Sequence, residues 1–172
     1  MVKIDFDNIR KLIRVDNTLN AGSIVSTEIT LDLPRGYIAK IRRIKFAFLN
    51  WSEDLEGTVA VEISGSVQSA LVRDPDDTLT IQTPENSSSH DVIGEHKADV
   101  FAELGNAHVG NDAKEYYFDE NMDVPTARNL RFNTIGQGAD VASLTESVVR
   151  CEIEYTYEKI DDKGMLDLLD IL

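Results

Sequence analysis

The sequence predicts an all-β fold: an antiparallel β-sandwich of about eight strands with a short apolar tail at its C-terminal end. Three observations carry that expectation. Apolar residues recur at every second position in several segments, as they do where one face of a strand is buried. Turn-forming residues separate those segments. Neither a βαβ rhythm nor an internal repeat runs through the 172 residues.

The elements follow in order. Ile9 to Val15 fits a short strand or a helical turn, and Asp16-Asn17 and Asn20-Ala21-Gly22 then supply loop chemistry. From Ser23 to Leu33 the chain alternates: Val25, Thr27, Ile29, Leu31 and Leu33 share one face, and Ser26, Glu28, Thr30 and Asp32 the other. Pro34-Arg35-Gly36 ends this strand with turn residues. Tyr37 to Trp51 reads as a second, long strand. Its apolar parity slips between Tyr37, Ala39 and Ile41 on one side and Ile44, Phe46 and Phe48 on the other, which places a β-bulge at Arg42-Arg43.

Val59, Val61 and Ile63 mark a third strand, ended by Gly65 and the polar run behind it. Arg73 to Asp77 reads as a turn, Leu79 and Ile81 as a short strand, and Pro84 to His90 as a serine-rich loop. Val92 to Leu104 fits either strand or helix, and Gly105 to Ala113 reads as loop. Tyr116 to Val124 and the stretch around Leu130, Phe132 and Thr134 are further strands, the latter closed by a turn at Gly136-Gln137-Gly138. The clearest strand is Val149 to Tyr157. Val149, Cys151, Ile153, Tyr155 and Tyr157 form an apolar face rich in β-branched and aromatic residues, opposite Arg150, Glu152, Glu154, Thr156 and Glu158.

Residues 1–160 are therefore expected to form a single sandwich domain, and residues 161–172 a C-terminal apolar tail. Met165, Leu166, Leu168, Leu169, Ile171 and Leu172 crowd its end at a spacing that fits one or two helical turns. A helix this short needs something to pack on. An open edge of its own sandwich and a neighbouring subunit are the two main choices. A membrane surface is a third, though no cationic face accompanies the apolar one. The six residues are the candidate subunit interface.

Composition bounds the function. The net charge of −14 repels a nucleic acid backbone, so direct nucleic acid binding is not expected. The frequent aspartates would suit a high-salt setting. One cysteine, Cys151, leaves no intrachain disulfide and no multi-cysteine zinc site. The charged N-terminal stretch has no apolar core of the secretory kind, so synthesis in a cytoplasm is the default, and the sequons at Asn50 and Asn86 carry little meaning.

Chemistry of a catalytic kind is not legible. His90, His96 and His108 are the histidines; His90 and His96 are spaced to share a strand face, yet in this setting a metal pair is less expected than solvated side chains. Ser89-His90-Asp91 lacks the elbow sequence of a serine hydrolase. The 31 acidic residues make any chosen carboxylate pair uninformative. Asp74-Pro75-Asp76-Asp77 lacks the ligand spacing of a calcium loop, and Gly136-Gln137-Gly138 lacks the third glycine of a dinucleotide loop. Cys151, on an apolar strand face, reads as a buried inert thiol. Arg35, Lys40, Arg42, Arg43 and Lys45 form one dense basic stretch, to be neutralised by acids across the sheet or used in a contact between subunits or with enclosed nucleic acid. Trp51, at a strand end, suits packing in the core or at its rim, or else a sugar contact. No enzyme, cofactor or metal is expected.

Three stretches together resemble the single jelly-roll capsid proteins of tailless icosahedral archaeal and bacterial viruses. They are Leu31-Asp32-Leu33-Pro34-Arg35-Gly36 running into Ile41 and Ile44-Lys45-Phe46; Asp123-Val124-Pro125 leading to Leu130-Arg131-Phe132; and Val149 to Tyr157 followed by a charged link and the leucine-rich tail. The resemblance covers most of the chain as architecture, and the chain lacks the basic arm of coat proteins that bind RNA directly. It implies a jelly-roll fold and a structural virion protein, a coat subunit that self-assembles into a homo-oligomer. The implied partners are copies of itself, with other capsid proteins or an internal viral membrane as further contacts. The implied location is the virion, after synthesis in a host cytoplasm. The competing expectation is a carbohydrate- or ligand-binding β-sandwich, such as an accessory or spike domain. An enzyme on the same scaffold, such as a cupin, ranks third, because a sandwich hosts all three.

Overall fold

A computed structural model describes residues 9–20, 22–49, 63–73, 92–103, 106–110, 112–118, 125–126, 129–137 and 147–161. These form ten strands: β1 (Lys11–Thr18), β2 (Val25–Thr30), β3 (Tyr37–Leu49), β4 (Ile63–Val72), β5 (Val92–Glu103), β6 (Asn106–Gly110), β7 (Ala113–Tyr117), β8 (Pro125–Thr126), β9 (Asn129–Gln137) and β10 (Val148–Lys159). Every pairing is antiparallel.

The pairings are nested. β1 pairs with β10, β2 with β9, β3 with β7 and β8, and β4 with β5. The chain is thus one long hairpin, first strand against last. The hairpin is rolled so that β10 also lies beside β3, and β9 beside β4. The result is two sheets. Sheet A has the order β1-β10-β3-β7, with β8 on the same edge of β3, and sheet B has the order β2-β9-β4-β5-β6. Two Greek keys wound in this way define a jelly roll.

Alternation puts one face of each sheet inside. Ile41, Ile44, Phe46 and Phe48 of β3 and Val149, Cys151, Ile153, Tyr155 and Tyr157 of β10 meet Leu130 and Phe132 of β9 and Val67 and Leu71 of β4. Phe46 is at the centre. It stacks on Phe132 with ring centroids 6.1 Å apart, stacks on His96 at 6.1 Å, and takes the edge of Tyr116 at 6.3 Å. Burial of such rings is the main apolar contribution to a sandwich of this size.

The bulge expected in the second long strand is present. Glu154 lies opposite Arg43 and Tyr155 opposite Ile41, which leaves Arg42 as the extra residue of β3. The turn before β3 also forms as expected: Tyr37 N–H donates to Pro34 C=O at 3.2 Å, and Gly36 has φ 79°, the conformation that favours glycine at that position.

Several expectations are corrected. Ile9 to Val15 is not helical, and Asp16-Asn17 is not loop; both residues belong to β1, held by pairing with Arg150 and Val149. Gly65 does not end the third strand. β4 continues to Val72 because it is central in its sheet, hydrogen-bonded to β9 and β5, and small residues (Ser66, Ser69, Ala70) interleave with Val67, Leu71 and Val72 at its buried positions, which blurs the alternating signature. Val92 to Glu103 is strand, not helix, and it carries a second bulge at Ile93, between the pairs Leu71–Gly94 and Val72–Val92. Asn106–Gly110 is strand rather than loop, recruited by pairing with β5. β7 begins at Ala113, upstream of the expected Tyr116. Gly136 and Gln137 extend β9 opposite Val67 and Ser66 instead of forming a turn.

Two polar contacts cross between the sheets. Asn17 of β1 is 1% exposed. Its side-chain amide donates to Val25 C=O (3.2 Å), Phe132 C=O (3.1 Å) and Thr134 Oγ1 (3.3 Å), and its oxygen accepts from Thr27 Oγ1 (2.7 Å). At the β5 bulge, the Tyr116 hydroxyl donates to Glu95 C=O at 2.5 Å and accepts from Glu95 N–H at 3.4 Å. A bulge breaks the local ladder and leaves backbone groups to be satisfied from elsewhere; here a tyrosine from the opposite sheet does so.

Candidate subunit interface

The outward face of sheet A is built in rows by strand register. One row reads Leu12, Glu154, Arg43, Tyr117; the next Arg14, Glu152, Lys45, Glu115; the third Asp16, Arg150, Ala47, Ala113. Opposite charges stand side by side across the strands. Arg14 pairs with Glu152 at 2.8 Å, Arg43 with the same carboxylate at 3.2 Å, and Lys45 with Glu115 at 3.3 Å. Arg150 holds Asp16 through two bonds of 2.8 Å, in the fork-to-fork geometry that guanidinium and carboxylate favour. Arg10 pairs with Glu154 at 2.8 Å, Lys40 with Glu158 at 2.6 Å, and Arg42 Nε donates to Thr156 Oγ1 at 3.1 Å beside the bulge.

The basic stretch expected from sequence thus takes its neutralised form at Lys40, Arg43 and Lys45. The ladder sets the local electrostatics. Hydrogen bonds from Arg150 hold the Asp16 carboxyl below the usual carboxylate range. Those from Tyr117 and Lys45 do the same for Glu115, and the same contact pushes the Tyr117 phenol up. Exposed pairs of this kind contribute little each to stability, about 0.2–1 kcal/mol. Their effect is to leave the face nearly neutral. At its margins stand Tyr117 and Leu12, which are 68% and 50% exposed.

The outward face of sheet B is different. Around β2, β9 and β4 it combines polar bonds, Ser26 to Asn133 at 2.6 Å, Arg131 to Ser26 Oγ at 3.1 Å and Gln68 to Gln137 at 2.8 Å, with a small apolar cluster of buried Ala70 and Val72 packed by Val92 and Ile135. Towards β5 it carries Glu95, Lys97 and Asp99, and Phe101, which is 53% exposed.

The tail residues Met165, Leu166, Leu168, Leu169, Ile171 and Leu172 lie outside the described residues, as do Trp51, His90 and the Asp74–Asp77 segment. His96 is buried against Phe46, and His108 is in β6 at the register position opposite Phe101. Among the described residues no cluster of three or more His, Cys, Asp or Glu is placed to hold a metal ion, and no helix is long and apolar enough to cross a membrane. Cys151 is fully buried, and burial pushes its thiol well above the ordinary range. Burial likewise pushes the Tyr155 phenol up to about 12. Sequence reasoning did not single out Leu12, Tyr117 or Phe101. Only the final strand pairing shows that these apolar side chains stand on outward faces.

The strand order and the two faces define a jelly-roll β-sandwich with a ladder of charged side chains on the outward face of sheet A. Comparison with known structures agrees. The fold is similar to VP1, the capsid protein of Merkel cell polyomavirus, as an unassembled pentamer (TM-score 0.60, 7% identity, covering 92% of this chain and 98% of that one). It is also similar to the same virus's VP1 in complex with GD1a oligosaccharide (TM-score 0.55, 8% identity, 94% and 99%). VP1 of Trichodysplasia spinulosa-associated polyomavirus with 3'-sialyllactose gives a TM-score of 0.53 at 8% identity, over 90% and 96%. At such identities the likeness is one of fold. No protein-family model matches the chain, and no curated protein sequence matches it.

Proposed function

We propose that this protein is a structural virion component, a coat subunit that acts by packing against copies of itself. The observation that carries the reading is the complete nested jelly roll, matched over nearly the whole length of both chains by a capsid protein that forms pentamers. Function then requires shape complementarity and buried apolar area between copies, not catalysis. The location that follows is the virion, after synthesis in a host cytoplasm. The resemblance in the sequence favours a tailless icosahedral virus of archaea or bacteria as the source.

In this reading residues 1–160 are the sandwich, and the apolar tail, 161–172, docks on a neighbouring subunit through Met165, Leu166, Leu168, Leu169, Ile171 and Leu172. Other capsid proteins and an internal viral membrane are further contacts compatible with it. A chain with a net charge of −14 needs salt or cations to screen repulsion between copies.

The test is the mass of the purified protein in solution by light scattering, at low and high salt, with electron microscopy of any large species. Pentamers, hexamers or shells are expected, above all at high salt. Deleting residues 165–172 should leave a folded monomer that assembles poorly. A strict monomer under every condition would refute the coat reading. Glycan binding by such a monomer would then support the alternative, a carbohydrate-binding sandwich.

A further inference from the structure

We infer that the outward face of sheet A is self-complementary, and that two copies of the chain meet there face to face about a two-fold axis running along the strands, between β10 and β3. The inference rests on the coat reading, in which copies pack on copies, and adds one of the faces by which they do so.

The order of charges across the four strands carries it. From β1 through β10 and β3 to β7 the middle row is Arg14, Glu152, Lys45, Glu115, alternately basic and acidic. A row of four that alternates in sign has the opposite sequence of signs from its other end. Turning a second copy about an axis along the strands keeps each row at its own height and reverses it end for end. Arg14 then lies over the partner's Glu115, and Glu152 over the partner's Lys45. The row Leu12, Glu154, Arg43, Tyr117 behaves in the same way. Glu154 lies over the partner's Arg43, and Leu12 over the partner's Tyr117, which joins the two exposed apolar side chains of the face. The third row sets the Asp16–Arg150 fork against the partner's Ala113 and Ala47, whose single methyl groups leave it room. The axis repeats each contact, and nowhere in the three rows do like charges oppose.

The other two-fold arrangement of this face on itself fails. An axis across the strands keeps each side chain over its own strand and turns the rows over. Arg14, Glu152, Lys45 and Glu115 would each meet their own counterpart, like charge on like. A phosphate backbone is a poor occupant as well. The basic Arg14, Arg43, Lys45 and Arg150 are matched by the acidic Asp16, Glu115, Glu152 and Glu154, so the three rows carry no net charge. The −14 of the chain lies outside them. Face-to-face sheets stack about 10 Å apart at about 30°, a gap that an arginine and a glutamate can span. The middle row, about which the crossing turns, is least displaced by that angle. Four strands about 4.8 Å apart by three rows about 7 Å apart cover roughly 400 Å² in projection, about half of the 800 Å² of accessible surface that each partner buries in a standard interface. The contact is therefore weak and reversible, a link between assembled units.

The test uses full-length protein, sedimented at the lowest salt at which the unaltered chain associates. Arg14→Glu and Glu115→Lys each turn the Arg14–Glu115 contact, made twice across the axis, into a repulsion. Both side chains are solvent-accessible, and Glu152 keeps Arg43 when Arg14 is reversed, so each variant should unfold close to the parent's thermal midpoint. Each alone should make the association step that doubles the mass at least about tenfold weaker. Mixed one to one, the two should associate as strongly as the parent, because every such contact in the mixed pair again joins opposite charges. The neutral variants Arg14→Gln and Glu115→Gln, which add no repulsion within the chain, should each weaken the step about threefold. Charge reversals that associate as the parent does, or that stay apart when mixed, would overturn the inference and leave the coat reading standing. Failure of the unaltered protein to associate at any salt would overturn both.

Discussion

Replacing Asn17 tests whether the cross-sheet polar contact holds the two sheets together. The two N–H groups of the side chain are shared among three acceptors, and its oxygen accepts one bond. Asn17→Ala removes all four. Val25 C=O keeps a partner in Thr134 Oγ1 at 3.4 Å, whereas the Thr27 hydroxyl loses its acceptor and Phe132 C=O loses a donor. With two N–H donors and one accepted bond, at about 1 kcal/mol net for each, the loss is about 3 kcal/mol. Water entering the polar gap would recover part of it, so about 2 kcal/mol is expected, a large share of the 5–15 kcal/mol typical of a domain. The assay is urea unfolding followed by circular dichroism, with the midpoint falling and the slope unchanged. Asn17→Asp sharpens the test. A carboxylate there would face two carbonyl oxygens, which raises its folded-state pKa above the unfolded value of about 3.9. A raised acid pKa costs stability as pH rises, so the Asp variant should be closest to the parent below about pH 4 and fall away above it. A loss under about 1 kcal/mol for the Ala variant, or an Asp variant whose deficit ignores pH, would show that the contact is incidental.

Other outcomes follow from the same structure. Cys151 should resist thiol reagents in the folded protein and label fully in denaturant, as mass spectrometry would show. A Cβ on Gly94 would lie 3.4 Å from Phe46 and Tyr116, so Gly94→Ala should be tolerated, while Gly94→Leu should drive those rings apart, loosen the Tyr116 bridge and cost about 1–3 kcal/mol by denaturant titration. Phe46→Ala should cost about 3–5 kcal/mol, since it removes the ring on which Phe132 and His96 stack. The lowered pKa of Asp16 contributes stability above its unfolded value that is lost as pH falls through the folded one; Asp16→Asn should therefore cost a little stability at neutral pH and converge with the parent in acid, which flattens part of the acid limb of a stability profile.

Much of the fold was legible because alternation of apolar residues is a local property. β2, β3, β9 and β10 each alternate apolar and polar side chains along at least part of their length, and the shift of parity at Arg42-Arg43 announced a bulge before any pairing was known. The segments misread are those where pairing overrides local preference. Asp16 and Asn17 look like loop residues. In place, one is held by Arg150 and the other by partners on β2 and on β9, the latter more than a hundred residues away. Gly65 and the serines of β4 carry no alternating signal, because a strand flanked on both sides packs small residues as readily as large ones. Asn106–Gly110 becomes strand only because β5 lies beside it.

The sequence by itself determined the class of fold, the inert thiol, the acidic surface and the basic stretch with its acidic counterparts, since each follows from residue type and spacing. Only the tertiary structure decided which strands are neighbours. That choice aligns Leu12, Glu154, Arg43 and Tyr117 in one row across four strands drawn from four separate parts of the chain. The reason is physical: side-chain direction along a strand is set by the chain's own two-residue period, but the company a strand keeps is set by how the whole hairpin rolls, which no short window of sequence records.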